Sequence, residues 1–439
     1  MDFSDDDDGD GEGDESFASH FYKGGSDWSC LVSETDQICR ETNKSKKMKQ
    51  ANLFQIWGLQ KPSPPPPPSP TKMKSMAKKT NVVGKRLRNG PNTNGSPRAC
   101  PFYKKLPGTP FTVDAFRYGR IHGCSAYFLT HFHYDHYGGL SKAWSHGPIY
   151  CSSLTSRLLT LSLSINPSFI HPLELDKEYT INGIKVTLIE ANHCPGAALI
   201  HFRLPDGTCY LHTGDFRASK QMQTHPLLVN RRVHVLYLDT TYCNPRYKFP
   251  SKEDVLSYVV RITKDFLRKH PKTLIVVGAY SIGKECVYLS IAKALGVKIF
   301  ASASRRRILQ SFGWSDISEN LCRDGRDTVL HVLPISSLRA DRLGEYLKVY
   351  SEHYAAVLAF RPTGWTYSEK IGDKLDLIRP SSKGNIAIYG VPYSEHSSFT
   401  ELCEFVQFLK PDKIIPTVNV SNAGTREKMQ SHFREWLRS

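Results

Sequence analysis

No run of eighteen or more apolar residues occurs in the 439-residue chain, so the sequence offers no membrane-spanning helix. A basic-then-apolar leader is also missing. The first twenty residues contain no Lys or Arg and hold Asp2, Asp5 to Asp8, Asp10, Glu12, Asp14 and Glu15. An intracellular protein is the expectation. No C-x-x-C pair occurs among the eleven cysteines, which argues against a cysteine-based zinc finger. Scattered and odd in number, they are expected as reduced, mostly buried thiols.

Basic residues and histidines are abundant. The formal charge is +16 despite the acidic start, so the remainder of the chain is more basic still. A basic body favours polyanionic partners, nucleic acid first. Seventeen histidines are present, several of them tightly clustered.

Residues 1–97 read as a disordered tail, with an acidic block, Lys-rich runs and the proline tract Pro64 to Pro68. The basic runs Lys44 to Lys49 and Lys72 to Arg88 suggest a nuclear address. One apolar island, Gln50-Ala-Asn-Leu53-Phe54-Gln-Ile56-Trp57, resembles the peptide that docks on the replication sliding clamp, with Ile56 where an aromatic is expected.

From about Arg98 the pattern turns globular. Asn182-Gly183 and Asp206-Gly207 each join two strand-like runs and predict hairpins. After Val233–Asp239 the texture becomes strand–helix alternation. Strands are predicted at Thr273–Ala279, Val297–Ala301, Tyr354–Phe360, Asn385–Val391 and Lys413–Val418, and helices at Lys284–Leu295 and Ser398–Leu409. The class is α/β.

The strongest local signal is Tyr127-Phe-Leu-Thr-His131-Phe-His133-Tyr-Asp135-His136. An apolar strand runs into three histidines and an aspartate. His131 and His133 are two apart on extended chain, so they face one side, as two ligands of one metal would. Asp135 and His136 lie just beyond, where a second metal would sit. His193, Asp215, Asp239 and His396 also follow predicted strands. Together these groups offer enough nitrogen and oxygen ligands for one or two Zn2+ ions.

The order H-x-H-x-D-H, a lone His, then Thr213-Gly-Asp215 is that of the metallo-β-lactamases. Further blocks are Leu-Asp239-Thr-Thr-Tyr-Cys, Gly278-Ala-Tyr-Ser281-Ile-Gly283-Lys284-Glu285, Phe360-Arg-Pro-Thr363-Gly-Trp365 and Tyr393-Ser-Glu-His396-Ser-Ser. With these, the chain resembles the β-CASP nucleases, and most closely the DNA cross-link repair group that includes Artemis and Apollo. The resemblance covers roughly residues 98–439. It implies a metallo-β-lactamase αββα sandwich formed by residues 98–243 and 385–439, with a β-CASP domain inserted at 244–384. It further implies His131, His133, His193 and Asp215 on one zinc, and Asp135, His136, Asp215 and His396 on the other. Asp114 would be a structural support, and Asp239 would support a ligand from outside. Asp135, His396 and Asp239 are the residues expected to serve catalysis.

The implied activity is zinc-dependent 5′-to-3′ hydrolysis of DNA phosphodiesters in cross-link repair, on DNA that is single-stranded or carries a free 5′-phosphate. Ser281, Gly283, Lys284 and Thr363 would cradle that phosphate. Alternatives are an RNA-processing or structure-specific endonuclease of the same fold, and a non-catalytic repair scaffold. RNA-acting relatives carry a further histidine after the strand following His396. Here that strand reads Lys413-Ile-Ile-Pro416-Thr-Val418-Asn. Some relatives carry a ubiquitin-binding Cys/His finger, for which Cys30 and Cys39 are too isolated.

Overall fold

The computed structural model describes residues 99–438 other than 371 and 373; the expected tail, its basic runs and the Gln50–Trp57 island lie outside them. Three sheets organise the described chain. The first has five strands in sequence order: β1 Lys105–Leu106, β2 Phe111–Val113, β3 Ala126–Phe128, β4 Ile149–Ser152 and β5 Ile170–Leu173. The second begins with β6 Tyr179–Ile181, β7 Ile184–Glu190, β8 Ala198–Arg203, β9 Cys209–His212 and β10 Val235–Leu238. The hairpin between β6 and β7 forms as predicted. Asn182 and Gly183 both take positive φ, at 46° and 77°, as the tight turn that matches strand twist requires.

The third sheet has seven strands: β11 Thr273–Ala279, β12 Ile299–Ala301, β13 Leu321–Cys322, β14 Leu330–Pro334, β15 Ala356–Pro362, β16 Ser381–Lys383 and β17 Ile386–Val391, in the order β13-β12-β14-β11-β15-β17-β16. All pairings are parallel except the last. The chain then returns to the second sheet, where β18 Lys413–Pro416 pairs parallel with β10.

The first two sheets pack face to face. Phe111 and Phe128 from one sheet and Phe202 from the other form a triangle with ring centroids 5.1–6.1 Å apart, and all three are fully buried. Each such pair contributes about 1 kcal/mol beyond its area burial. Outer faces are covered by helices. Leu158 and Leu159 of Ser153–Leu163 bury with Tyr127 and Cys151, while Leu402, Phe405 and Val406 of Phe399–Leu409 bury with Leu211 and Leu236. The seven-stranded sheet is also covered twice. Ile275 and Val277 face the helices Lys252–Lys269 and Glu285–Leu295, while Leu274 and Val276 face Ala340–Val349. A parallel sheet buried on both sides needs the continuous apolar runs these strands carry.

One expected boundary needs correction. Residues 385–391 do not return to the sandwich. Ile386–Val391 pairs parallel with β15, six residues in register, inside the seven-stranded sheet. The return follows Val391.

Candidate metal centre

The carboxyl ends of strands from all three sheets converge on one cluster. β3 ends at Phe128, and its continuation, Leu129-Thr130-His131, is held by Asp114. The Asp114 Oδ1 accepts the Thr130 N–H at 2.9 Å, and its Oδ2 accepts the Thr130 hydroxyl at 2.8 Å. Thr130 also lends its carbonyl to Ala198 N–H at 3.0 Å, which ties the loop to the second sheet. Gly214 of the Thr-Gly-Asp turn has φ +54°, and a Cβ there would meet the Thr130 Cβ at 2.6 Å. The missing side chain lets Asp215 approach His131.

The imidazoles face each other as ligands of one cation would. His131 Nε2 lies 3.0 Å from His133 Nδ1, and His193 Nε2 lies 3.2 Å from the same atom. Asp215 Oδ2 stands 3.7 Å from His131 Nε2, 3.9 Å from His193 Nε2 and 3.2 Å from His136 Nε2. Asp135 Oδ2 is 3.5 Å from His136 Nε2. His193, Asp215 and His396 also fall within 4.8 Å of one another. Asp215 thus joins two groups, one with His131 and His136 and one with His193 and His396, a grouping that differs from the two sets the resemblance implies. By distance Cys194 joins His131, His133 and His193. Burial and nearby carboxylates push its thiol well above the ordinary range.

Three outer imidazole nitrogens are fixed by a carboxylate or a carbonyl, and His131 Nδ1 meets the Thr130 hydroxyl at 3.0 Å. His136 Nδ1 meets Asp114 Oδ2 at 2.6 Å, His396 Nδ1 meets Asp239 Oδ2 at 2.8 Å, and His193 Nδ1 meets the Glu395 carbonyl at 2.9 Å. Asp239 in turn accepts the Thr241 N–H and hydroxyl at 2.9 and 2.6 Å. It is a support and not a donor to the centre. Such outer partners set ligand orientation and basicity.

Burial, aided by the other histidines, pushes His131 and His193 well below the usual imidazole range, leaving them neutral as ligands must be. Burial also works to lower His136, but Asp215, Asp135 and Asp114 outweigh it and hold His136 well above that range. Burial opposes the charge on Asp114, yet His136 and Lys104 keep its carboxyl down at about 2. Three carboxylates, Asp114, Asp135 and Asp215, crowd His136. Asp135 Oδ1 is buried with no hydrogen-bond partner. An orphaned carboxylate oxygen within a cluster of imidazoles fits a divalent cation. A cavity of about 170 Å³ opens beside Asp135, His136 and Asp215.

The seven-stranded sheet points its carboxyl end at this cluster. β11, β15 and β17 are parallel neighbours, so Ser281–Lys284, Thr363–Trp365 and Glu395–His396 emerge at one edge. His133 Nε2 lies 3.4 Å from the Ile282 carbonyl. Ser281 and Thr363 are nearly buried there.

Gly283 and Lys284 do not play the expected role. The Gly283 N–H donates to Glu285 Oε1 at 2.9 Å, and the Lys284 N–H donates to Glu395 Oε1 at 2.9 Å. The Lys284 ammonium forms a buried ion pair with Glu395 Oε2 at 2.6 Å. Both N–H groups and the cation are therefore occupied by carboxylates, which corrects the phosphate-cradle expectation for these two residues.

Sequence reasoning missed Glu395, though it adjoins His396. It also missed Arg217, two residues beyond Asp215. The buried Arg217 guanidinium donates to the Ser394 and Pro250 carbonyls and to Glu401 Oε1 at 2.9–3.0 Å, tying the Asp215 loop to the His396 loop and to the segment before Lys252–Lys269. A buried arginine signals itself in sequence only through its neighbours.

Residues 315–422 match the family model described as DNA repair metallo-beta-lactamase. The chain is 76% identical to the DNA cross-link repair protein SNM1 of Arabidopsis thaliana, across 97% of this chain and 91% of that one. It is 50% identical to the human DNA cross-link repair 1A protein over 80% of this chain, which is 34% of that longer protein. Identity to the 5′ exonuclease Apollo of Gallus gallus is 36%, over 71% of this chain and 63% of that protein.

Proposed function

The chain belongs to the DNA cross-link repair family of metallo-β-lactamase/β-CASP proteins, and from that membership we propose a zinc-dependent nuclease that degrades DNA from the 5′ end, acting in the nucleus. The observation that carries the metal-dependent reading is the pair of donor sets meeting at Asp215. When bound there, Zn2+ would supply Lewis acidity and bring the pKa of a bound water toward about 7.

The chain's own residues do the rest. Asp239 and Asp114 orient His396 and His136 through their Nδ1 atoms. Asp135, with one oxygen unengaged, accepts the proton of the water that attacks phosphorus in line with the departing 3′ oxygen. The positive formal charge of the chain suits a polyanionic strand. The 5′ polarity draws support from the name of the Apollo relative. With Gly283 and Lys284 engaged elsewhere, the hydroxyls of Ser281 and Thr363, at adjacent strand ends, are what remain to hold a terminal phosphate.

The test compares two end-labelled single-stranded oligonucleotides that differ only in a 5′-phosphate, alongside elemental analysis of the protein. We expect one to two zinc ions per chain, ladders shortening from the 5′ end, and faster turnover of the phosphorylated strand. Cutting that starts internally or at the 3′ end would replace this reading with an endonuclease or a reversed polarity. Active protein without a transition metal would remove the metal centre.

A further inference from the structure

Beyond the metals, the site edge carries a cluster of aromatic rings that the proposed chemistry leaves unused. The Tyr242 ring lies 5.8 Å from the His396 ring and 5.1 Å from the Trp365 ring. Tyr247 and Phe249 pack against Tyr242 at 4.6 and 4.8 Å, and Tyr367 closes on Phe249 at 5.4 Å. Tyr242, Tyr247 and Phe249 are buried, but 42% of Trp365 is exposed. Gly364 makes this contact possible, since a Cβ there would meet the Tyr242 hydroxyl at 2.5 Å. The turn Gly364–Thr366 therefore presses directly on Tyr242.

Trp365 borders an open cleft of about 430 Å³, with Arg246, Tyr247, Tyr367, Glu369 and Lys370 among its walls. Arg246 lies over the Tyr247 ring at 4.7 Å. Two cations against one carboxylate flank a partly exposed indole, two ring contacts from a metal-ligand histidine. A wide flat ring beside positive charge is what a nucleotide asks of a surface: stacking for the base and a counter-charge for the phosphate. A purely apolar partner would gain nothing from Arg246 and Lys370.

We propose that this cleft is a nucleobase subsite, where Trp365 stacks on one base of the strand near the scissile phosphate while Arg246 and Lys370 face its backbone. The inference rests on the nuclease reading above and adds where the strand runs. Stacking of this kind tolerates any base, because every base has a π-face, so the subsite grips the strand without selecting sequence.

The experiment uses the full chain and 5′-phosphorylated single-stranded oligonucleotides in which one nucleotide at a time lacks its base. Wild-type protein should show a penalty at one position. Trp365→Ala should raise KM about tenfold with kcat changed far less, as loss of one aromatic–base stack implies. Removing the base at the sensitive position should then cost Trp365→Ala nothing more. Trp365→Phe should keep most of the affinity and the same sensitive position. An unchanged KM in Trp365→Ala, or a base penalty that persists undiminished in it, overturns the subsite. Should Trp365→Ala prove too unstable to assay, Trp365→Phe and the wild-type scan decide, and a wild-type enzyme indifferent to base removal everywhere overturns it. Wild-type protein that cuts no DNA at all defeats the nuclease reading itself, whereas one that cuts without position dependence defeats only the subsite.

Discussion

Glu285 shows how much a single buried acid sets. It is 3% exposed, and burial, reinforced by the charge of Glu395, pushes its carboxyl up to about 7 from the usual 4.5. Between those values the folded protein holds a proton that the unfolded chain has released, so stability falls as pH rises. The contribution is fully present below about pH 4.5 and is lost as pH passes through about 7. At about 1.4 kcal/mol per pH unit the loss comes to roughly 3–4 kcal/mol. Glu285→Gln keeps an oxygen to accept the Gly283 N–H and carries no charge at any pH. Thermal melts should show the variant more stable than wild type at pH 8 and equal to it near pH 4.5. Parallel profiles would mean that Glu285 titrates elsewhere. None of this was legible in the sequence. Lys284 was read as a phosphate ligand because a lysine after a serine–glycine turn looks unpaired until its neutralising partner, Glu395, arrives from 111 residues away.

At the scale of elements, the helix Phe399–Leu409 matters most for the site, because its start fixes the His396 loop. Ser398 and Glu401 form a capping box. The Ser398 hydroxyl accepts the Glu401 N–H, and Glu401 Oε2 accepts the Ser398 N–H at 2.7 Å. The other carboxylate oxygen of Glu401 takes Arg217 Nε at 3.0 Å. Ser398→Ala removes only the cap and should cost about 1 kcal/mol. Glu401→Ala removes the return bond and also leaves the buried Arg217 short of its anion. It should cost about 2–4 kcal/mol and loosen the loops bearing Asp215 and His396. Urea unfolding checks the order; equal costs would deny Arg217 its role as a clasp. The helix itself was readable from its periodicity. Arg217 was not, because its three acceptors come from distant parts of the chain. The strand Ile386–Val391 was also found in the sequence but placed in the wrong sheet. An apolar strand suits any buried sheet, and only the edge offered by β15 decides which one takes it.

For the molecule as a whole, the clustered ligands were readable because four of them fall within six residues at one strand end, where local geometry alone brings them together. Two hairpins of the second sheet followed from their turn dipeptides, while the sandwich itself came only from the family resemblance. The distances between loops followed from neither, since each depends on which elements pack. The described residues hold eighteen strands and every candidate ligand. A protein lacking residues 1–95 should keep its thermal stability and its cleavage rate within about twofold, since the sequence of that segment is too polar to join a core. A truncated protein that unfolds or loses turnover would place the boundary earlier.

The carbonyl of Glu395 meets His193 across 202 residues of sequence, and His396 follows it directly. Contacts of such span are assembled late, because the loop must close before the contact repays it. On the ribosome, the sandwich strands β1–β10 can emerge and pair while His396 is still unmade. While residues 216–395 are being added, the polypeptide thus holds His131, His133, Asp135, His136, His193 and Asp215 but lacks His396. The cluster therefore stays one imidazole short until His396 has been added, after every other candidate ligand.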